Sequence, residues 1–201
     1  NAGILRDKSF AKLSWEDLDA VLDTHLKGAF YVSQPAFAVM KEKGYGRFVF
    51  TSSNSGVFGN FGQANYGAAK MGLVGLSNVI AIEGAKAGIL SNCVCPVAAT
   101  RMTEELLGDL SKLVRPELVT PLVTFLASEA CTFTHETFSA AGGRYARVFI
   151  GLAPGWYAGK DTVATAEDVL DHLAEIENQE GYIVPAASSD ELGQLLGVLG
   201  S

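Results

Sequence analysis

The chain of 201 residues carries 15 Lys and Arg against 22 Asp and Glu, a formal charge of −7, with a pI near 4.9 and a mean hydropathy of +0.21. This acidic balance argues against nucleic acid as a partner, because phosphate backbones are bound by clustered Lys and Arg. No stretch reaches the roughly 20 consecutive apolar residues of a membrane span, and none of the segments reads as a secretory signal. The three cysteines, Cys93, Cys95 and Cys131, are too few and too odd in number for a disulfide framework.

The length suits one domain. A hydrophobic content of 48% against 18% charged residues suits a sheet covered on both faces, or a subunit interface. No Cys/His set has zinc-ligand spacing, so no metal is expected. Reduced, buried thiols are the expectation for a cytoplasmic protein.

In chain order, Ser14 with Asp17 three residues on predicts a helix start. Leu18, Leu22, Leu26, Ala29, Phe30, Ser33, Phe37 and Met40 follow at helical spacing, up to a stop at Lys41 to Gly44. Gly46-Arg47-Phe48-Val49-Phe50-Thr51-Ser52-Ser53 is a short apolar run ending in hydroxyls, as in a strand buried on both faces. A Gly- and Asn-rich loop from Asn54 to Gln63 leads into a helix over residues 64–85. Its Gly67, Ala68, Ala69, Gly72 and Gly75 permit close approach of a neighbour. Ile89 to Cys95 reads as a second strand.

Residues 100–114 read as a short amphipathic helix with Met102, Leu106, Leu107 and Leu110 on one face. Pro116 and Pro121 bracket the start of a helix that runs to about Glu129. Arg147 to Gly151 is a second short apolar run, for a strand or hairpin. Thr165 with Asp168 caps a helix over Ala166 to Glu177, and Ser188 to Leu199 reads as another short helix.

Chemistry concentrates at Tyr66-Gly67-Ala68-Ala69-Lys70. Residues i and i+4 share a helix face about 5–6 Å apart. An ammonium so close to a phenol favours the phenolate, which would turn Tyr66 into a proton acceptor near neutral pH. Ser53 ends the preceding strand, where open α/β sheets bind ligands.

These residues carry a family resemblance. Thr51-Ser52-Ser53-Asn54-Ser55-Gly56 with Gly62-Gln63-Ala64-Asn65-Tyr66-Gly67-Ala68-Ala69-Lys70 resembles the active-site segment of the short-chain dehydrogenases/reductases. Their serine stands thirteen positions before their tyrosine, as Ser53 does before Tyr66. Asn1-Ala2-Gly3, Pro96 and Ala140-Ala141-Gly142-Gly143 are similar to three further family motifs, in the family's order. A narrower resemblance, through Asn1 to Asp7, His25-Leu26-Lys27-Gly28, Tyr45-Gly46-Arg47 and Gly59 to Tyr66, points to one branch. That branch holds the dehydrogenase unit of the peroxisomal multifunctional enzymes of β-oxidation and 17β-hydroxysteroid dehydrogenase type 4.

The resemblance implies an α/β, Rossmann-like, doubly wound parallel sheet. Residues 1–145 would form the C-terminal part of the dehydrogenase domain and 146–201 an extension packed on it. It implies Ser53, Tyr66, Lys70 and His25 as catalytic residues, with His25 where most members carry asparagine. Asn1, Gly3, Tyr66, Lys70, Pro96, Val97 and Thr100 would bind NAD, or else NADP. Val97 replaces the family's usual glycine, and Thr100 arrives one position early.

The resemblance further implies an acyl-CoA or steroid substrate, a lid over residues 100–114, and a homodimer or homotetramer through helices 14–41 and 64–85. The location would be peroxisomal if the source is eukaryotic. The family's Gly-x-x-x-Gly-x-Gly turn does not occur, because the chain begins at the Asn-Ala-Gly that follows the fourth strand. The first strands are therefore expected to be missing, by truncation, by proteolysis or because the chain is incomplete, and the polypeptide alone is expected to be inactive.

Overall fold

The structure, a computed structural model, describes residues 2–100 and 108–199. Its chain divides into two compact units, Asn1–Val148 and Phe149–Ser201. The first unit opens with α1 (Trp15–Leu22), a π-turn at Asp23–Lys27 and α2 (Gly28–Lys43). Then come β1 (Gly46–Thr51), the short α3 (Asn54–Val57), α4 (Ala64–Gly84) and β2 (Ile89–Val97). It closes with α5 (Thr120–Ala127), β3 (Thr137–Ala141) and β4 (Arg144–Val148).

Among the described residues the sheet has four strands in the order β1-β2-β3-β4. β1 pairs in parallel with β2, placing Gly46 against Ile89 and Thr51 against Val94. β2 pairs in parallel with β3, from Cys93 against Thr137. β4 returns antiparallel, so Thr137 faces Val148 and Ala141 faces Arg144.

Alternation along β1 decides what covers each face. Phe48 and Phe50 point to one side and join Leu73, Val74 and Ile80 of α4 in the core, where Phe37 and Met40 of α2 also pack. Arg47 points to the other side, where its Nε donates to the Ser128 carbonyl at 3.3 Å and its Nη2 to that of Cys131 at 3.3 Å, just past the end of α5. Helices therefore cover the sheet on both faces, the doubly wound arrangement expected.

Several expectations need correction. The helix begun by Ser14, whose hydroxyl accepts from the Asp17 N–H at 3.1 Å, is interrupted by the π-turn. The loop after Ser53 contains a helical turn, α3. The expected strand at Arg147 to Gly151 is β4, Arg144–Val148, because its register is set by pairing with β3 across the Gly142-Gly143 turn rather than by local apolarity.

In the second unit, Leu152 and Ile183 exchange two backbone hydrogen bonds of 2.9 Å, and Phe149 stacks on Tyr182 with ring centres 5.7 Å apart. The helix expected over Ala166 to Glu177 is split into α6 (Ala166–Asp171) and α7 (Leu173–Ile176), because His172 leaves helical geometry at φ −103° and ψ 13°. Thr165 and Asp168 form the expected reciprocal cap. The last helix, α8, spans Ser188–Leu199 as expected. Of the expected amphipathic helix at 100–114, residues 101–107, with Met102, Leu106 and Leu107, lie outside the described residues, and Gly108–Lys112 forms a 3-10 turn.

Gly88 joins α4 to β2 at φ +66°, and a Cβ there would fall 2.6 Å from the Gly44 carbonyl oxygen. Left-handed backbone costs a non-glycine residue roughly 1–2 kcal/mol, and the backbone contact adds to it. Gly88→Ala should therefore lose about 2–4 kcal/mol of stability, read as a lower urea midpoint with an unchanged slope. A midpoint equal to wild type would contradict this packing.

Candidate active site

The site is assembled where α4 crosses the end of β1. The Ser52 hydroxyl, 2% exposed, donates to the Lys70 carbonyl at 2.7 Å. The Lys70 ammonium donates to the Thr51 carbonyl, also at 2.7 Å. Ser53 caps α3, its hydroxyl accepting from the Ser55 N–H at 3.2 Å. Gly56 lets α3 lie directly on α4, since a Cβ there would fall 2.9 Å from both Lys70 Cβ and the Met71 nitrogen. Strand end, short helix and long helix thus meet around Lys70, with Tyr66 one turn earlier.

Lys70 is buried, and burial lowers its pKa to about 8, with Cys95 acting in the opposite sense. Its Nζ lies 5.5 Å from the centre of the Tyr66 ring. Burial also pushes the Tyr66 phenol above its usual value. A hydrogen bond with Ser53 works against that rise, and the charge of Asp7 adds to it. This corrects the expectation that Lys70 depresses the phenol. Burial sets the direction of the shift, while the ammonium donates its hydrogen bond to the Thr51 carbonyl.

His25 sits in the π-turn, where the Gly28 N–H reaches back to the Asp23 carbonyl. The wider turn faces the imidazole inward, 6% exposed. Its Nε2 lies 2.8 Å from the Ile4 carbonyl oxygen and 3.1 Å from the Ile4 nitrogen. One ring nitrogen serves one of these at a time, donating to the carbonyl or accepting from the N–H. The imidazole also meets the Tyr66 ring edge-on, with centres 5.1 Å apart at 88°. Burial holds its pKa below the ordinary histidine value, opposed by the Ile4 hydrogen bond and reinforced by Lys70.

Ser53, Tyr66, Lys70 and His25 are thus brought together. Of the expected cofactor residues, Gly3 is exposed in the segment leading to Ile4, Pro96 and Val97 are the partly buried last residues of β2, and Thr100 is exposed beyond it. Asn1 lies outside the described residues. Pro96 and Ala98 open onto a cleft of about 320 Å³ walled by Pro116, Val119, Thr120, Val123 and Thr124. Ser52 and Asn65 were passed over in the sequence reading, although each adjoins a candidate catalytic residue. Among the described residues no three His, Cys, Asp or Glu side chains gather as a metal site, and no helix is long and apolar enough to cross a membrane.

A histidine whose folded pKa lies below its unfolded value near 6.5 binds a proton more readily when unfolded. Its stabilising contribution is full above about pH 6.5 and lost as pH falls through the lower folded value. Between pH 7.5 and 5 the thermal midpoint should therefore fall more for wild type than for His25→Asn, which keeps one donor and one acceptor without titrating. Parallel curves would remove His25 from the acid response.

Residues 1–110 match the family model described as short chain dehydrogenase. The chain is 49% identical over 201 residues to peroxisomal multifunctional enzyme type 2 of Mus musculus, covering 99% of this chain and 27% of that protein. It is 41% identical over 157 residues to acetoacetyl-CoA reductase of an Acinetobacter strain, covering 72% of this chain and 63% of the relative. The solved structure of full-length peroxisomal multifunctional enzyme type 2 from Drosophila melanogaster superposes with a TM-score of 0.90 at 39% identity, over 100% of this chain and 37% of that one. In each case this chain spans less than two thirds of its relative. With the family model matched over more than half its length, and with a doubly wound sheet, the chain belongs to the short-chain dehydrogenases.

Proposed function

We propose that this chain carries the proton-transfer half of an oxidoreductase that interconverts a secondary alcohol and a ketone with a nicotinamide cofactor, NAD, on a (3R)-hydroxyacyl-CoA or a hydroxysteroid. The observation that carries the reading is the convergence of Ser53, Tyr66, Lys70 and His25 at one strand end, in a chain of this family. The residues present fit such a cofactor. The Thr51 carbonyl engages one of the three Lys70 ammonium protons, which leaves two for ribose hydroxyls, and Pro96 with Ala98 offers an apolar wall. When bound, the nicotinamide ring supplies the site that accepts or gives hydride.

Tyr66 moves the proton. In oxidation its oxygen takes the hydroxyl proton of the carbinol, and in reduction its O–H gives that proton back. Ser53 donates a hydrogen bond to the substrate oxygen as carbonyl character develops. Lys70, still largely protonated at pH 7 with a pKa of about 8, holds positive charge beside the phenol and stabilises it when the proton leaves. His25, neutral at that pH, fixes the Ile4 segment against the Tyr66 ring.

A second reading, an NADPH-dependent ketoacyl or other carbonyl reductase, is supported by the acetoacetyl-CoA reductase relative.

A CoA thioester is supported by that relative, and an apolar chain by Leu110 and Leu113, exposed on the segment expected to form the lid. A homodimer or homotetramer through helices 14–41 and 64–85 is supported by the exposed Phe30, Tyr31, Val32 and Val39 of α2 and Val79 and Ile82 of α4.

In the intact gene product, Tyr66→Phe should lower kcat by about 10²–10⁴-fold with folding and cofactor affinity nearly intact. Retention of a tenth of the wild-type rate would remove Tyr66 from the chemistry. Side-by-side kcat/KM values should rank a hydroxyacyl-CoA or a hydroxysteroid far above a polyol, whose hydroxyls would lose hydrogen bonds in an apolar site. A polyol preference would overturn the substrate class.

A further inference from the structure

Asn65 stands directly before Tyr66 and is 0% exposed. Its Nδ2 donates to the Arg6 carbonyl at 3.0 Å and to the Asp17 carbonyl at 3.3 Å. Its Oδ1 accepts from the Tyr66 N–H at 2.8 Å. The first N–H groups of a helix have no partner within it, and the preceding Gln63 caps no backbone group with its side chain. Asn65 therefore uses its acceptor on the backbone of the proton-transfer residue. Its two donors bind two other pieces of the site. Arg6 lies two residues from Ile4, whose peptide holds His25, and Asp17 lies in the first turn of α1.

We infer that Asn65 is a positioning residue, which locks the backbone of Tyr66 to the Ile4–Arg6 segment and to α1 and so fixes where the phenol points. This rests on the reading of Tyr66 as the proton-transfer group. The three bonds form one network, and a buried network left partly unsatisfied costs more than an apolar replacement. The groups bearing on the phenol are Ser53, Asp7 and Cys95, with Lys70 and His25 on its ring faces and edges. A shift of the Tyr66 backbone changes its distance to all of them at once.

The test uses the intact gene product and two variants. Asn65→Leu keeps the branching at Cγ and removes all three bonds. Asn65→Ser keeps a local acceptor but is too short to reach the Arg6 and Asp17 carbonyls. The Tyr66 titration is isolated as the tyrosinate absorbance difference between each protein and the same protein with Tyr66→Phe.

In both variants the Tyr66 midpoint should move down toward the ordinary tyrosine range as burial loosens. Their kcat should fall at least tenfold, with KM changed less than threefold. Should Asn65→Leu fail to fold by circular dichroism, Asn65→Ser alone decides. An unchanged Tyr66 midpoint and kcat, with only a lower melting temperature, would overturn the proposal and leave Asn65 a stability residue. If the wild-type protein turns over neither substrate class, the functional reading fails, while the titration still decides whether Asn65 positions Tyr66.

Discussion

Lys70 is bonded to the end of β1 twice, through its ammonium to the Thr51 carbonyl and through its own carbonyl to the Ser52 hydroxyl. A strand and a helix whose apolar side chains also pack together are thereby fixed in rotation and in translation along the helix axis. Apolar packing of Phe48 and Phe50 on Leu73, Val74 and Ile80 supplies attraction but tolerates sliding, because dispersion and hydrophobic burial have no direction. The two hydrogen bonds remove that freedom at the point where the chemistry is placed. Given them, Tyr66 lies one turn back on the same face and Gly56 can accept the close approach of α3, with Ser53 at its cap.

The same division of labour holds along β2. Asn92, 0% exposed, donates to the Phe133 carbonyl at 3.1 Å and accepts from the Glu136 N–H at 3.0 Å. The Cys93 N–H donates to the Glu136 carbonyl at 2.8 Å. One buried amide therefore decides where β3 begins beside β2, and with it where the strand ends carrying Pro96 and Ala140 stand. Asn65 and Asn92, each 0% exposed, have both amide atoms engaged, the condition under which a buried polar group specifies structure.

Much of this was legible in the sequence, for reasons that differ by element. β1 and β2 were readable because strands buried on both faces appear as unbroken apolar runs, and the Ser14 and Thr165 helix starts because capping is local. The Ser53, Tyr66 and Lys70 grouping followed from helical spacing and strand-end placement. What escaped depends on non-local facts. The break at His172 coincides with stacking of its ring on Trp156, 4.0 Å away, and the register of β4 is set by β3. The direction of the Tyr66 shift was misjudged because spacing reveals the lysine but not the depth of burial, and depth decides it. Asn65 looked like an ordinary helix residue, since its partners are the carbonyls of Arg6 and Asp17, far away in the chain.

The π-turn at Asp23–Lys27 was hidden for another reason. The inward positions Val21, His25, Ala29 and Ser33 recur every four residues, close enough to 3.6 to pass for an unbroken α-helix. A π-turn is one residue more than the α-helix needs to cover the same distance, and it shifts the phase of every later side chain by about 100°. The outward face of α2, with Tyr31 and Val32, is thus set by a residue count upstream of it. In evolutionary terms, gaining or losing a single codon in this turn would rotate that outward face and the His25 ring together. The exposed face of α2 and the interior of the site are therefore coupled through the length of this one turn.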